Sequence, residues 1–309
     1  MSVADTETGA GTPPDKPARG SASQAIRNTS RAGRNLPVAI LVGTVLGGVV
    51  IASLMYARPY GWVGVLAVGV LLGTLEVARR LRAAGFVIPV IPLLIGGQAT
   101  LWLTWPFHAG GALAGFGGTA LVCMMWRLLS RHGQSAPRGY DPAGPTNYLR
   151  DVSATVFLAA WVPLFASFGA LLIYPAHGAG KVFSLIVGVV LTDIGGYAVG
   201  ALFGKHPMVP TISPKKSWEG FVGSLVFGIT ATTLSVTYLT GKPVWIGVLL
   251  GVVVVITATL GDLVESQVKR DLGIKDMGSL LPGHGGLLDR FDGFLPSAVA
   301  AWIVLTLVP

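Results

Sequence analysis

Charge is what this sequence has least of. Only 12% of its 309 residues are Asp, Glu, Lys or Arg, against roughly 25% in an ordinary soluble domain, which excludes a typical cytosolic enzyme. Cysteine is nearly absent as well. The single Cys123 leaves neither a disulfide framework nor a thiolate metal site to consider, and its apolar surroundings make it a small packing residue. The five histidines, His108, His132, His177, His206 and His284, fall at no metal-ligand spacing. There is no repeat of the kind that builds a transporter from two related halves. The first apolar stretch starts too late, runs too long and is followed by too many others for a cleaved leader.

What the chain has in abundance is apolar residues, 52% of the total, with 43 glycines and a mean hydropathy of +0.67. This composition predicts an all-α, polytopic membrane bundle. A helix needs ~20 mainly apolar residues to cross the hydrocarbon core, where its backbone finds no other partner. Nine stretches qualify: 36–56, 60–76, 86–104, 109–128, 152–174, 182–203, 219–239, 243–263 and 293–308. Residues 1–35 are rich in Gly, Pro, Ser, Ala, Thr and Arg without an apolar run and read as a disordered cytoplasmic tail. A second irregular segment, 129–151, carries Gly133, Pro137, Gly139, Pro142, Gly144 and Pro145. The chain thus divides into the tail, N-terminal membrane helices over 36–180 and a C-terminal membrane region over 181–309 with a cytoplasmic loop at 261–292.

The net charge of +8 comes from 22 Lys and Arg against 14 Asp and Glu. With the N-terminus inside, nine spans put every cation except Arg58, Lys181 and Lys242 on the cytoplasmic side. The positive-inside rule therefore gives N-in and C-out, and the cationic surplus records orientation rather than a nucleic-acid partner.

The carboxylates are distributed unevenly. Outside the tail, Glu76, Asp141 and Asp151 are isolated in the first half, whereas Asp193, Glu219, Asp262, Glu265, Asp271, Asp276, Asp289 and Asp292 crowd the C-terminal region. On a helix, Asp262, Glu265, Ser266 and Lys269 share one stripe at the cytoplasmic end of the eighth stretch. Leu281-Pro282-Gly283-His284-Gly285-Gly286 is a glycine turn able to present backbone N–H groups to phosphate oxygens. Asp289 and Asp292 follow at i and i+3. Asp262, Asp289 and Asp292, without Cys or a His cluster, have the hard-oxygen character that suits Mg²⁺, and Lys269, Arg270, Lys275 and Arg290 are interleaved with them. Carboxylates to hold a cation, with cations to hold phosphates, are what a metal–nucleotide complex requires. The plainer alternative is a loop of surface ion pairs among positive-inside lysines.

Two further clusters lie on the same side. Ser213-Pro214-Lys215-Lys216-Ser217-Trp218-Glu219-Gly220 sets two lysines beside a helix N-cap, Ser217, where phosphate binding is natural; a positive-inside flank with an interfacial Trp is the alternative. Asp193 lies inside the sixth stretch, and an intramembrane carboxylate points to function or to a packed polar pair. Gly196, Gly200 and Gly204 recur at every fourth position, a spacing for close helix contact within the chain or across a dimer.

The pattern Ser266-x-x-Lys269-Arg270-x-x-x-x-Lys275-Asp276-x-Gly278-x-x-Leu281-Pro282-x-His284-Gly285-Gly286-x-x-Asp289-Arg290-x-Asp292 resembles the signature of the phosphatidate cytidylyltransferases, or CDP-diacylglycerol synthases. So many fixed polar and glycine positions make it specific. Residues 213–220 are similar to a second family segment, with Ser217 where Thr is common, and Asp193 with Tyr197 and Gly200 to a third. The resemblance covers about 193–295. It implies transfer of CMP from CTP to phosphatidic acid, giving CDP-diacylglycerol and pyrophosphate, with Mg²⁺, alone or with a second cation, at the cytoplasmic face of a bacterial plasma membrane. Asp262, Ser266, Lys269, Asp289 and Asp292 would be catalytic, with metal on Asp262, Asp289 and Asp292. Asp193, Lys215, Lys216, Ser217, Arg270, Lys275, His284, Gly285, Gly286 and Arg290 would bind substrate. CTP, phosphatidic acid and the bilayer are the implied partners, together with a second copy in a homodimer. A secondary transporter or channel centred on Asp193, a polyprenol or dolichol kinase using CTP, a cytidylyltransferase with a different lipid phosphate and a silent scaffold are the rival readings.

Overall fold

The structure, a computed structural model, describes residues 36–56, 59–130, 147–278 and 285–308. The expected tail, residues 131–146 of the second irregular segment, Arg58 and His284 lie outside them. The described chain is helical almost throughout: α1 (Leu36–Tyr56), α2 (Tyr60–Ala83), α3 (Val90–Trp102), α4 (Thr104–Leu129), α5 (Tyr148–Leu171), α6 (Gly178–Phe203), α7 (Trp218–Thr240), α8 (Val244–Asp271) and α9 (Phe294–Leu307). Six of these, α2 and α4 to α8, are long and apolar enough to cross a membrane. The Gly43–Tyr56 part of α1, together with α3 and α9, is apolar but shorter.

Helices therefore occupy all nine apolar stretches, and six of them qualify as spans by length and hydropathy among the described residues. Helix α3 does not. Expected over 86–104, it begins at Val90, because Pro89 at its N-cap disfavours helical geometry in Ile88. Its 13 residues rise about 20 Å, short of a ~30 Å hydrocarbon core. Helices α2 and α8 deviate the other way. They continue beyond their apolar stretches, carrying Arg79, Arg80 and Arg82 in one and Glu265, Ser266 and Lys269 in the other.

The helices are joined by close packing and by polar groups that find partners inside the bundle. Lipid tails are as apolar as leucine, so helices associate through backbone approach rather than through burial from water. At the α6–α7 crossing, a Cβ on Gly223 would lie 2.6 Å from the Gly195 carbonyl oxygen, and one on Gly196 would lie 2.5 Å from Ser224 Oγ. The glycine repeat thus serves contact within the chain. Thr232 Oγ1 donates to the Gly247 carbonyl at 2.9 Å, linking α7 to α8. Thr257 and Ser297 hydroxyls meet at 3.0 Å between α8 and α9, and Trp62 Nε1 ties α2 to the Gly169 carbonyl of α5 at 2.8 Å. Helix α5 passes through a π-turn at Ala160–Leu164 that contains Pro163, whose missing N–H the wider turn accommodates. Arg127 of α4 and Asp151 of α5 form a sealed ion pair at 2.9 Å, with side chains 2% and 1% exposed.

Between α6 and α7 the chain forms a small antiparallel hairpin, β1 (Pro207–Val209) and β2 (Ser213–Ser217), pairing Pro207 with Ser217 and Val209 with Ser213. Its strands are too short and too polar to have signalled themselves in the sequence.

Candidate active site

Helix α8 supplies the first wall of the site. Gly261 permits it, since any Cβ there would overlap the Asp292 carbonyl oxygen; the loop after α8 returns directly against the helix. Asp262 then faces Asp292, and the expected stripe is realised as i, i+4 contacts. Ser266 Oγ donates to Asp262 Oδ1 at 3.2 Å, and Lys269 Nζ to Glu265 Oε2 at 2.7 Å. Lys269 also reaches Asp289 Oδ1 at 3.1 Å.

Hairpin β1–β2 and the start of α7 form the second wall. Ser217 is the N-cap of α7, its hydroxyl accepting the Gly220 N–H at 3.2 Å, as the sequence predicts. Lys216 Nζ pairs with Asp262 Oδ2 at 2.7 Å and donates to the Thr259 carbonyl at 3.3 Å. Helix α6 contributes Asp193 and Tyr197. These walls enclose an open cavity of about 820 Å³, bordered also by Lys215, Lys275, Gly285 and Arg290. Most of the residues singled out in the sequence are thus brought together. Ser266, Arg270 and Gly286 are not on the cavity wall: Ser266 orients Asp262, Arg270 sits in the last turn of α8, and Gly286 faces away toward α2.

The turn Leu288–Arg290 separates the two late aspartates. Asp289 Oδ2 accepts the Gly286 N–H at 2.8 Å, and Oδ1 accepts the Met277 N–H at 3.3 Å as well as Lys269. Gly285, at φ +83°, makes the bend that points the next N–H at this carboxylate, a conformation natural to glycine. Burial alone would raise the Asp289 pKa; its contacts with Glu265, the Gly286 N–H and Lys269 outweigh that and hold it below the usual range. Asp292 shows the opposite balance. Burial, reinforced by the Asp262 carboxylate, pushes it up to about 7, the response of an acid held among other acids.

Asp262, Glu265 and Asp292 offer carboxylate oxygens that all lie within 4.8 Å of one another. Glu265 is 1% exposed, and its Oε1 has no hydrogen-bond partner among the described residues. An all-oxygen set with a buried, unsatisfied carboxylate fits a hard divalent cation. The grouping differs from the trio expected: Glu265 rather than Asp289 stands with Asp262 and Asp292, and Asp289 accepts two N–H groups and pairs with Lys269. Glu265 was visible on the α8 stripe, but nothing in the spacing ranked it above Asp289.

The model of the cytidylyltransferase family matches residues 37–308. The chain belongs to that family. It is 65% identical over 308 residues to the phosphatidate cytidylyltransferase of Mycobacterium tuberculosis (strain ATCC 25618 / H37Rv), covering 100% of this chain and 94% of the relative. It is 62% identical over 313 residues to the enzyme of the same name from Mycobacterium leprae (strain TN), covering 99% and 100%. A more distant relative of that name, from Staphylococcus saprophyticus, is 39% identical over 209 residues, covering 66% of this chain and 75% of its own.

Proposed function

We propose that the chain is a phosphatidate cytidylyltransferase: it transfers the CMP moiety of CTP to phosphatidic acid, forming CDP-diacylglycerol and pyrophosphate for phospholipid synthesis. The observation that carries this is the meeting of a carboxylate trio, flanking lysines and Gly285 in one cavity at the end of a helical bundle. Family membership and high identity to enzymes of that name agree.

Phosphatidic acid brings its own nucleophile. The second pKa of a phosphate monoester lies near ~6, so at neutral pH its oxygen attacks the α-phosphorus of CTP without a strong general base. What the protein must supply is alignment and charge neutralisation. Lys215, Lys216, Lys275 and Arg290 stand around the cavity to bind phosphate oxygens, and Gly285 borders it without a side chain to obstruct them. Asp262, Glu265 and Asp292 would hold the Mg²⁺, with Asp289 keeping Lys269 in place beside them. When bound, the cation supplies Lewis-acid stabilisation of the triphosphate. Asp193, on the α6 wall of the cavity, is positioned for the lipid headgroup or the nucleoside.

The cavity's cytoplasmic placement in a bacterial plasma membrane is supported by the cation distribution and by geometry. Arg80, at the cationic end of α2, contacts Met277, so the arginine cluster and the site share one end of the bundle. A homodimer keeps the family resemblance as its support, since the glycine repeat packs inside the chain.

The decisive assay uses purified full-length protein with phosphatidic acid and CTP labelled at either the α- or the γ-phosphate. Label is expected in the lipid product from α-labelled CTP only. Lipid labelled from the γ-position would make the chain a kinase and overturn the proposal.

A further inference from the structure

Glu76 lies outside the cavity wall and belongs to no motif recognised in the sequence. It sits in the spanning helix α2 and is only 7% exposed, a costly place for a carboxylate that serves no purpose. Its Oε2 accepts the Leu288 N–H at 2.9 Å. Gly278 and Gly286 close against it: a Cβ on Gly286 would lie 2.8 Å from both carboxylate oxygens, and one on Gly278 would overlap Oε1. One turn later on the same face, Arg80 Nε donates to the Met277 carbonyl at 2.6 Å. Two side chains of α2 therefore grip both limbs of the loop between α8 and α9, at 277–278 and at 286–288.

The grip leads into the site by two routes. The Met277 and Gly286 N–H groups both bond Asp289, which holds Lys269, which in turn holds Glu265. The Leu288 carbonyl accepts the Asp292 N–H at 3.0 Å, so the same residue that Glu76 anchors also orients the turn carrying Asp292.

We infer that Glu76 and Arg80 are positioning residues for nucleotidyl transfer, contributed by the N-terminal half to hold the loop from which Asp289 and Asp292 reach the cavity. This role rests on the cation site assigned above to Asp262, Glu265 and Asp292. Misplacing a reacting group by ~1 Å costs on the order of 100-fold in rate, which sets the expected scale.

The test uses the full chain in detergent micelles, varying CTP, Mg²⁺ and phosphatidic acid separately, with Mn²⁺ binding followed by electron paramagnetic resonance. In Glu76→Ala, kcat/KM for CTP falls ~100-fold with weaker Mn²⁺ binding, while KM for phosphatidic acid stays within about twofold of wild type. Glu76→Gln, which keeps an acceptor for the Leu288 N–H, recovers to within ~10-fold, and Arg80→Ala loses ~10-fold. A monodisperse Glu76→Ala with wild-type CTP and Mn²⁺ behaviour overturns the inference. So does Glu76→Gln falling as far as Glu76→Ala with all three constants moving together, the mark of a packing role. If Glu76→Ala does not fold, wild-type constants in Arg80→Ala or a uniform loss in Glu76→Gln overturn it instead. Wild-type Mn²⁺ binding by Asp292→Asn removes the cation site whatever Glu76 does, whereas a dead Asp292→Asn beside a wild-type-like Glu76→Ala removes only the role of Glu76.

Discussion

Two charge clusters illustrate how the same residue types serve different ends. Arg127 and Asp151 face each other at 2.9 Å, both almost fully buried, and their charges cancel inside the α4–α5 contact. The cluster at the end of α8 does not close on itself. Lys216 and Lys269 pair with Asp262, Glu265 and Asp289, but Asp292 makes it four carboxylates to two lysines, and the group opens into a cavity of about 820 Å³. A matched, sealed pair holds helices together. An unmatched, open one would accept a cation and phosphates from outside, as proposed above.

The contrast predicts that mutations in the two clusters separate activity from stability. Asp292→Asn should cost the most activity, a ~10³-fold or greater drop in kcat/KM for CTP. Its thermal midpoint should equal or exceed that of wild type, because one of three crowded carboxylates loses its charge; a lowered midpoint with retained turnover would erase the distinction. Arg127→Met should do the reverse. Breaking a buried pair costs about 3–5 kcal/mol, so reversible unfolding should show that loss while turnover per folded molecule is unchanged. Adding Asp151→Leu should restore much of the stability. Gly223→Val, which forces a side chain into the α6–α7 crossing, should cost ~1–3 kcal/mol and raise KM for CTP, because Asp193 and the α7 N-terminus flank that crossing. The smallest effect belongs to Ser217→Ala, ~1 kcal/mol from the lost α7 cap, read in the same unfolding assay.

The sequence reveals the helical stretches well because spanning length and hydropathy are local properties. It reveals helix ends less well: Pro89 shortened α3, and the charged continuations of α2 and α8 carry no apolar signal. The polar stripe on α8 and the Ser217 cap were readable from helical periodicity and residue type. The choice of Glu265 over Asp289 beside Asp262 and Asp292 was not, because it depends on where a returning loop places two N–H groups. The role of Glu76, an isolated acid in the sequence, was unreadable for the same reason. A single acid in an apolar span, four residues before Arg80, was the available hint, but its partners lie about 200 residues away in the chain, near Leu288.

The measurement that bears most directly on the cation site is Mn²⁺ titration by electron paramagnetic resonance on the purified full chain, comparing Glu265→Gln with Asp289→Asn. Glu265→Gln should weaken binding at least ~10-fold, as loss of a ligand does, and Asp289→Asn should weaken it less, since that residue acts through Lys269. Wild-type affinity in Glu265→Gln together with lost binding in Asp289→Asn would contradict the assignment.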